Sequence, residues 1–335
     1  MTEQDYDVVV IGGGAAGLSG ALMLARSRRS VLVIDAADPR NAPAGAVHGL
    51  LGRDGTPPAE LLARGRAEVR SYGGQLATGE VRTVDRAAGR FAVTLADDRT
   101  VLARRLLVAT GLTDRLPDIP GLRERWGRDV VHCPYCHGWE VRDQPIGVLA
   151  TGPMAMHQTL LFRQLSADVV YFSHTRPPTP DEAEQLAARG IRVVDGEVAA
   201  VDVAGDRITG VRLRDGTVVA RGVLVVATRM TARTGPLAAL GLRAEEHPSG
   251  MGEHIPADAT GRTGVPGVWV AGNVTDLSAQ VGTAAAAGAT AAAQINADLV
   301  AEEAQQAVAA ARGRFPAGSE SRPAEPAAGN RRHGR

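Results

Sequence analysis

No lysine occurs in the 335 residues; all 37 side chains counted as lysine or arginine are arginine. Chemistry built on a lysine amine, such as a Walker phosphate loop or a Schiff base, is thereby excluded. Cysteine is almost as scarce, with 2 in the chain, Cys133 and Cys136. A single C-x-x-C cannot staple a small secreted fold, and in that spacing two thiols point to redox or metal work. Excess charge of one sign is lacking too, because 37 basic residues face 37 acidic ones. That balance calls for neither nucleic acid nor an anionic membrane as partner. Long apolar runs are missing. The first six residues are largely polar, the run at 8–11 is too short for a secretory signal or a membrane span, and the small-residue stretch at 284–293 is interrupted by Gly288 and Thr290. The expectation is a cytoplasmic protein. Its length and its 44% of hydrophobic residues suit two domains of ordinary size.

What is present is organised twice over. Residues 6–11 read as a short buried strand, followed by a glycine cluster, a helix from 16 to about 28 and a second strand at 31–34 that ends at Asp35. The same strand–glycine–helix–strand succession returns at 145–173. Between them lie a loop at 41–58, a helix at 60–70 and hairpin-like stretches at 81–94 and 101–110. Strand-like pieces follow at 191–203, 207–213, 217–228 and 265–271, and an alanine-rich helix runs to about 300. Two proline- and glycine-marked segments, 116–121 and 234–241, read as hinges. The residues beyond, rich in Pro, Gly, Arg and Ala, read as a disordered tail.

Three motifs carry chemistry. Gly12-Gly13-Gly14-Ala15-Ala16-Gly17 fits G-x-G-x-x-G between a strand and a helix, with Asp35 18 positions past its last glycine. The glycines allow a tight turn, close approach of a pyrophosphate and packing of the helix on the sheet. The helix N-terminus supplies N–H donors, and the acid can take a ribose hydroxyl. A glycine-rich turn without a ligand is the bland alternative; the strand, helix and distal acid argue for a dinucleotide. His132-Cys133-Pro134-Tyr135-Cys136-His137 offers two thiols that can close a disulfide, flanked by histidines able to move protons. Half a zinc site, an inert thiol pair and a glutaredoxin motif compete. Zinc lacks a second pair of cysteine ligands, and glutaredoxins carry their cysteines near the N-terminus. Ala109-Thr110-Gly111 and Val268-Trp269-Val270-Ala271-Gly272-Asn273 are apolar strands ending in small residues, where a ligand or backbone can approach; either alone can be an ordinary strand end. His157, His247 and His254 read as surface or structural residues, and Trp269 as core.

In this order the motifs resemble, over about residues 5–300, the low-molecular-weight thioredoxin reductase family of flavoproteins. The resemblance implies an α/β fold of two Rossmann-like, three-layer ββα dinucleotide-binding domains, the second inserted into the first. Residues 1–114 and 239–304 would form the FAD domain, 115–238 the inserted NAD(P)H-binding-like domain with the C-x-x-C, and 305–335 a tail. FAD would be held by Gly12, Gly14, Ala15, Ala16, Gly17 and Asp35. Ala109, Thr110 and Gly111 would approach it, as would Gly272 and Asn273 at the ribityl chain and Gln280 and Val281 at the pyrimidine edge. Cys136 would be the flavin-side thiol and Cys133 the exchanging one, with His137 and His132 as proton carriers.

Departures from the reductases narrow the resemblance. Asn273 replaces an aspartate, His137 stands where an aspartate follows the second cysteine, Ala150-Thr151-Gly152-Pro153-Met154-Ala155 lacks the first glycine of the second nucleotide motif, and Ser173-His174-Thr175-Arg176 replaces the basic cluster for the NADPH 2′-phosphate. These features resemble the dithiol oxidase branch of gliotoxin and holomycin type. There Arg40, Asn41 and His48 would be early FAD contacts, and a small-molecule dithiol would be oxidised with oxygen as acceptor. The alternatives are an NADPH-dependent reductase acting on thioredoxin or a small disulfide, and a flavin redox sensor without turnover. NADPH binding is left open; the resemblance implies a homodimer, and no metal site is expected because a second pair of cysteine ligands is lacking.

Overall fold

The computed structural model describes residues 4–314. The chain through Asn296 forms one unit, and the residues from Ala297 onward a second, in which 297–314 are helical. Four apolar residues in a row open the first sheet: in β1 (Gln4–Ile11) the stretch Val8 to Ile11 is buried at every position, as a strand covered on both faces must be. α1 (Ala15–Arg26) crosses to β2 (Val31–Asp35), and α2 (Pro58–Ser71) precedes β3 (Gln75–Thr78). β4 (Val81–Ala87), β5 (Arg90–Leu95) and β6 (Thr100–Val108) complete the order β3-β2-β1-β6-β5-β4. β1, β2, β3 and β6 run parallel, while β4, β5 and the start of β6 are antiparallel. The stretch expected as a second hairpin at 101–110 is thus one long strand.

β7 (Leu112–Arg115) leaves this sheet, and α3 (Leu122–Arg125), β8 (Val130–Val131) and α4 (Pro134–His137) follow. β9 (Ile146–Leu149), α5 (Ala155–Phe162), β10 (Val169–Phe172), α6 (Pro180–Ala188) and β11 (Arg192–Val194) repeat the opening pattern. β12 (Val198–Ala204), β13 (Arg207–Leu213) and β14 (Val218–Val219) form a small antiparallel sheet, and β15 (Val223–Val226) returns to the core. The second sheet, β11-β10-β9-β15-β8, is parallel throughout. β16 (Arg229–Ala232) leads back through β17 (Glu245–Glu246) and β18 (Gly252–His254) to β19 (Val268–Val270), which pairs with the end of β6. α7 (Val281–Arg314) closes the described chain. The architecture is two Rossmann-like folds, the second inserted into the first.

Three details correct the sequence reading. The crossings between the sheets are β7 and β16, paired antiparallel with Asp114 opposite Met230, rather than the segments 116–121 and 234–241. The latter holds a short 3-10 helix, Gly235–Leu240, whose Leu237 is buried in the first core. α7 continues through Arg314, so residues 305–314 of the expected tail are helical, and 315–335 lie outside the described residues. α6 was not expected, although Thr179-Pro180-Asp181-Glu182 announces it: Thr179 and Glu182 form a reciprocal capping box. Trp269 is core, 1% exposed on β19. The first and last helices meet backbone to backbone, since a Cβ on Gly288 would lie 1.9 Å from the Ala16 carbonyl oxygen.

Candidate active site

The C-terminal ends of β1 and β6 and the loops after β8 and β19 converge on one cavity of about 650 Å³. Its floor is the glycine loop. Gly12 sits at φ +106°, and a Cβ there would lie 2.3 Å from the Ala109 carbonyl oxygen, so only glycine fits. Gly17 does not line the cavity; it packs on the Gly12 carbonyl. A Cβ on Gly14 would meet nothing within 4 Å, and Gly14 caps α1 without a side-chain bond. The N–H groups opening α1 are therefore available to an anion. Asp35 accepts from Gly13 N at 3.2 Å. An exposed cradle, a free helix start and a carboxylate at the end of the next strand fit the pyrophosphate and ribose of FAD.

Gln280 and Val281, where α7 begins, line the same space, as do Ala109, Thr110, Gly111, Gly272 and Asn273. Several of these also build the cavity wall. The Thr110 hydroxyl donates to the Arg233 carbonyl at 2.7 Å. Asn273 Nδ2 donates to the carbonyls of Asp276 and Ala279 at 3.0 and 2.9 Å, bonds an aspartate could not make. The asparagine at this place thus ties the loop that leads into α7.

Arg40, Asn41 and His48 also line the cavity. Arg40 forms a two-pronged pair with Asp114, Nε to Oδ2 at 2.6 Å and Nη2 to Oδ1 at 2.8 Å. Thr228 donates to the same carboxylate at 2.6 Å. Asp114 is the functional neighbour that the sequence reading missed; its side chain is 7% exposed. Burial alone would raise its pKa, but the Arg40 guanidinium and the Thr228 hydroxyl hold it below the usual carboxylate range.

Cys133 and Cys136 are joined as a disulfide with Cα atoms 5.2 Å apart. Cys133 caps the short helix α4, whose first residue is proline, and His137 N donates to the Cys133 carbonyl at 3.1 Å. Gly138 must be small there, because a Cβ would lie 2.2 Å from the Pro134 carbonyl oxygen. His132 Nδ1 lies 3.2 Å from the Val226 carbonyl. A carbonyl only accepts, so Nδ1 carries the proton and Nε2 remains the basic atom. Gln158 Nε2 donates to the His132 carbonyl at 3.0 Å and steadies this residue. Burial lowers the pKa of His132, and the Arg40 charge adds to that. His137 Nε2 is buried with no hydrogen-bond partner. Burial lowers its pKa too, although the Glu140 charge pulls the other way. In both imidazoles burial favours the neutral form, which can accept a proton.

His157 lines the cavity with Met154, Gln158 and Leu161, one face of α5 and the turn before it. His247 and His254 meet edge to face with ring centres 4.7 Å apart, outside the lining. Among the described residues no group of three or more His, Cys, Asp or Glu side chains gathers to hold a metal, and no helix is long and apolar enough to cross a membrane.

A dinucleotide cradle opening onto a disulfide with basic imidazoles defines a disulfide oxidoreductase. The pyridine nucleotide-disulphide oxidoreductase family matches residues 6–294, and the chain belongs to that family. It is an enzyme acting on sulfur groups, of thioredoxin reductase-like type, in a family that uses a flavin and a pyridine nucleotide. Thioredoxin reductase tcpT of Claviceps purpurea (strain 20.1) is 34% identical over 262 residues, 74% of this chain and 81% of that protein. The crystal structure of HlmI is 48% identical with a TM-score of 0.86, covering 92% of this chain and 96% of that one. An oxidoreductase from Agrobacterium tumefaciens is 36% identical with a TM-score of 0.83, covering 89% and 99%.

Proposed function

We propose that the chain is an FAD-dependent thiol–disulfide oxidoreductase that oxidises a small-molecule dithiol to a disulfide, with oxygen as the final acceptor. The supporting observation is the state of the second nucleotide crevice. At the end of β10, where a 2′-phosphate would need a cation, Arg176 spends its guanidinium on Glu182 at 2.7 and 3.2 Å and on the Tyr171 hydroxyl at 3.2 Å. His174 Nδ1 accepts from Val198 N at 3.0 Å. The Thr175 hydroxyl donates to the Ala150 carbonyl at 3.3 Å, across the end of β9. A reductase drawing on NADPH needs this crevice; a dithiol oxidase does not.

The glycine loop and the start of α1 would hold the pyrophosphate of FAD, Asp35 a ribose, and Gln280 with Val281 the flavin end. Bound there, FAD supplies a two-electron acceptor for the reduced cysteine pair and an outlet to oxygen, which leaves as peroxide. The chain's own residues do the rest. His137, with His132 beside the pair, takes a thiol proton from the substrate. The thiolate attacks Cys133 Sγ, the disulfide opens and Cys136 leaves as thiolate. The second substrate thiol then displaces Cys133, and the product departs as a disulfide. On the family resemblance the working unit would be a cytoplasmic homodimer, whose size light scattering checks.

The test is anaerobic mixing of the yellow protein with NADPH and, separately, with dithiothreitol. Bleaching of the flavin band by the dithiol alone, abolished in Cys136→Ser, is the expected result. Fast bleaching by NADPH would make the chain a reductase instead.

A further inference from the structure

We propose that His48 is the proton exit of the redox cavity. The proposal rests on thiol exchange at Cys133 as set out above, and it moves His48 from the flavin contacts expected by resemblance to the proton path. His48 lines the cavity, whereas the two carboxylates beside its ring lie outside the lining. Nδ1 is 3.5 Å from Asp54 Oδ1, and Nε2 is 3.4 Å from Glu140 Oε1. Asp54 and Glu140 are open to water, with side chains 68% and 39% exposed against 23% for His48. Gly49 N donates to Asp54 at 2.8 Å and holds that carboxylate in place. The His48 imidazole therefore stands between the cavity and two solvent-facing carboxylates.

The cavity has a proton to discharge. A dithiol and the Cys133–Cys136 disulfide give the substrate disulfide, a thiol at Cys133, a thiolate at Cys136 and one proton. Both substrate S–H bonds break, one proton returns to Cys133 Sγ as it leaves, and the other must reach water. Its first acceptor, His137, is half-buried, and its Nε2 is shut off from solvent without a hydrogen-bond partner. His137 nevertheless feels both outer groups: the Glu140 charge favours its protonated form and the His48 charge opposes it. The groups facing it on this side are His48 and Glu140, with Asp54 beyond His48. Imidazole suits the intermediate place because one nitrogen can take a proton while the other gives one up.

The test uses the flavin-loaded protein in lightly buffered, oxygen-free solution. Stopped flow follows the flavin band and a pH-indicator dye together after mixing with dithiothreitol. In the unaltered protein one proton appears as the flavin bleaches. His48→Gln, which keeps a hydrogen-bonding side chain, should retain its flavin but release the proton about tenfold more slowly, and added imidazole should restore the rate. Glu140→Gln combined with Asp54→Asn changes only surface groups and should slow release about threefold. Unchanged release in either variant overturns the proposal. So does a loss that imidazole does not repair, and so does loss of flavin from His48→Gln, which would return the residue to cofactor binding. Dithiothreitol exchanges with the disulfide whichever way electrons run physiologically. The relay can therefore fail while the oxidase reading stands, and NADPH bleaching can overturn that reading while the relay stands.

Discussion

The two Rossmann-like folds trace the same path and treat its first turn in opposite ways. Gly12 N donates to the Ile34 carbonyl at the end of β2, and Ala150 N donates to the Phe172 carbonyl at the end of β10, both near 3 Å. Beyond that bond they part. In the first fold the side chains that could obstruct a ligand are absent, and the acid at the end of β2 turns back to the loop at Gly13 N. In the second fold side chains fill the corresponding places and satisfy one another. Thr151 donates to the Ala227 carbonyl at 3.0 Å, and Ser173 bonds the Val194 carbonyl. Arg176 is paired with Glu182, which at the same time completes the cap of α6. On the proposed function a nucleotide fold would have lost its ligand while keeping its strands, because the sheet depends on backbone pairing and buried apolar residues and the crevice on a few loop side chains.

The largest effect that would break this comparison is expected at the paired glycines. Gly12→Ala forces a Cβ into the Ala109 carbonyl at a positive φ, at a cost of about 3 kcal/mol or more, and should yield flavin-free protein. Gly152→Ala meets nothing within 4 Å and should keep its flavin and its dithiol rate within about twofold. Equal loss of flavin in both would mean that the second loop is in use. Next comes the clasp between the folds. Asp114→Asn leaves the part-buried Arg40 without its carboxylate and should lower the unfolding free energy by about 3 kcal/mol in urea titration. A loss well under 1 kcal/mol would show that the pair is surface-like after all.

The smallest effect concerns acid. Burial lowers the pKa of His132, His137 and His174, all in the inserted segment. The unfolded chain takes up these protons first, at about pH 6.5, so the stability they allow is complete above that value and is lost as pH falls through their folded values. Lowering the pH from about 7.5 to about 5 should cost roughly 1 kcal/mol, felt in the inserted fold first. Hydrogen exchange should then show β9, β10 and β15 losing protection before β1 and β2; the reverse order would refute it.

Much of this was legible before any coordinates. The run of buried β-branched residues at 8–11, the glycine spacing and Asp35 fix β1, the turn and β2 by local chemistry. The internal echo at 145–173 placed the second sheet for the same reason. What escaped was set by distant partners. Residues 101–110 form one strand because β5 pairs with its start and β19, from 160 residues later, with its end; a local window sees two apolar pieces. Asp114 looks like any exposed acid until Arg40 and Thr228 fold over it. His48 read as a flavin neighbour because its loop resembles one, and its two carboxylate neighbours escaped because they come from Asp54 nearby and from Glu140 across the disulfide segment. The site residues nominated from the motifs, apart from Gly17, line one cavity, and their individual duties follow from side-chain partners that sequence spacing cannot supply.

The contact of Gly288 with the Ala16 carbonyl reaches into the order in which the protein can be made. The glycine loop is translated before the inserted segment, yet the helix that presses on it, and the strand β19 that borders β6, are translated after that segment. Between them the inserted sheet already has all its strands by Val226 and a core of its own. On the ribosome the cysteine-bearing fold can therefore mature while the flavin half waits, its opening strands held without their closing partner, for the last helix to arrive.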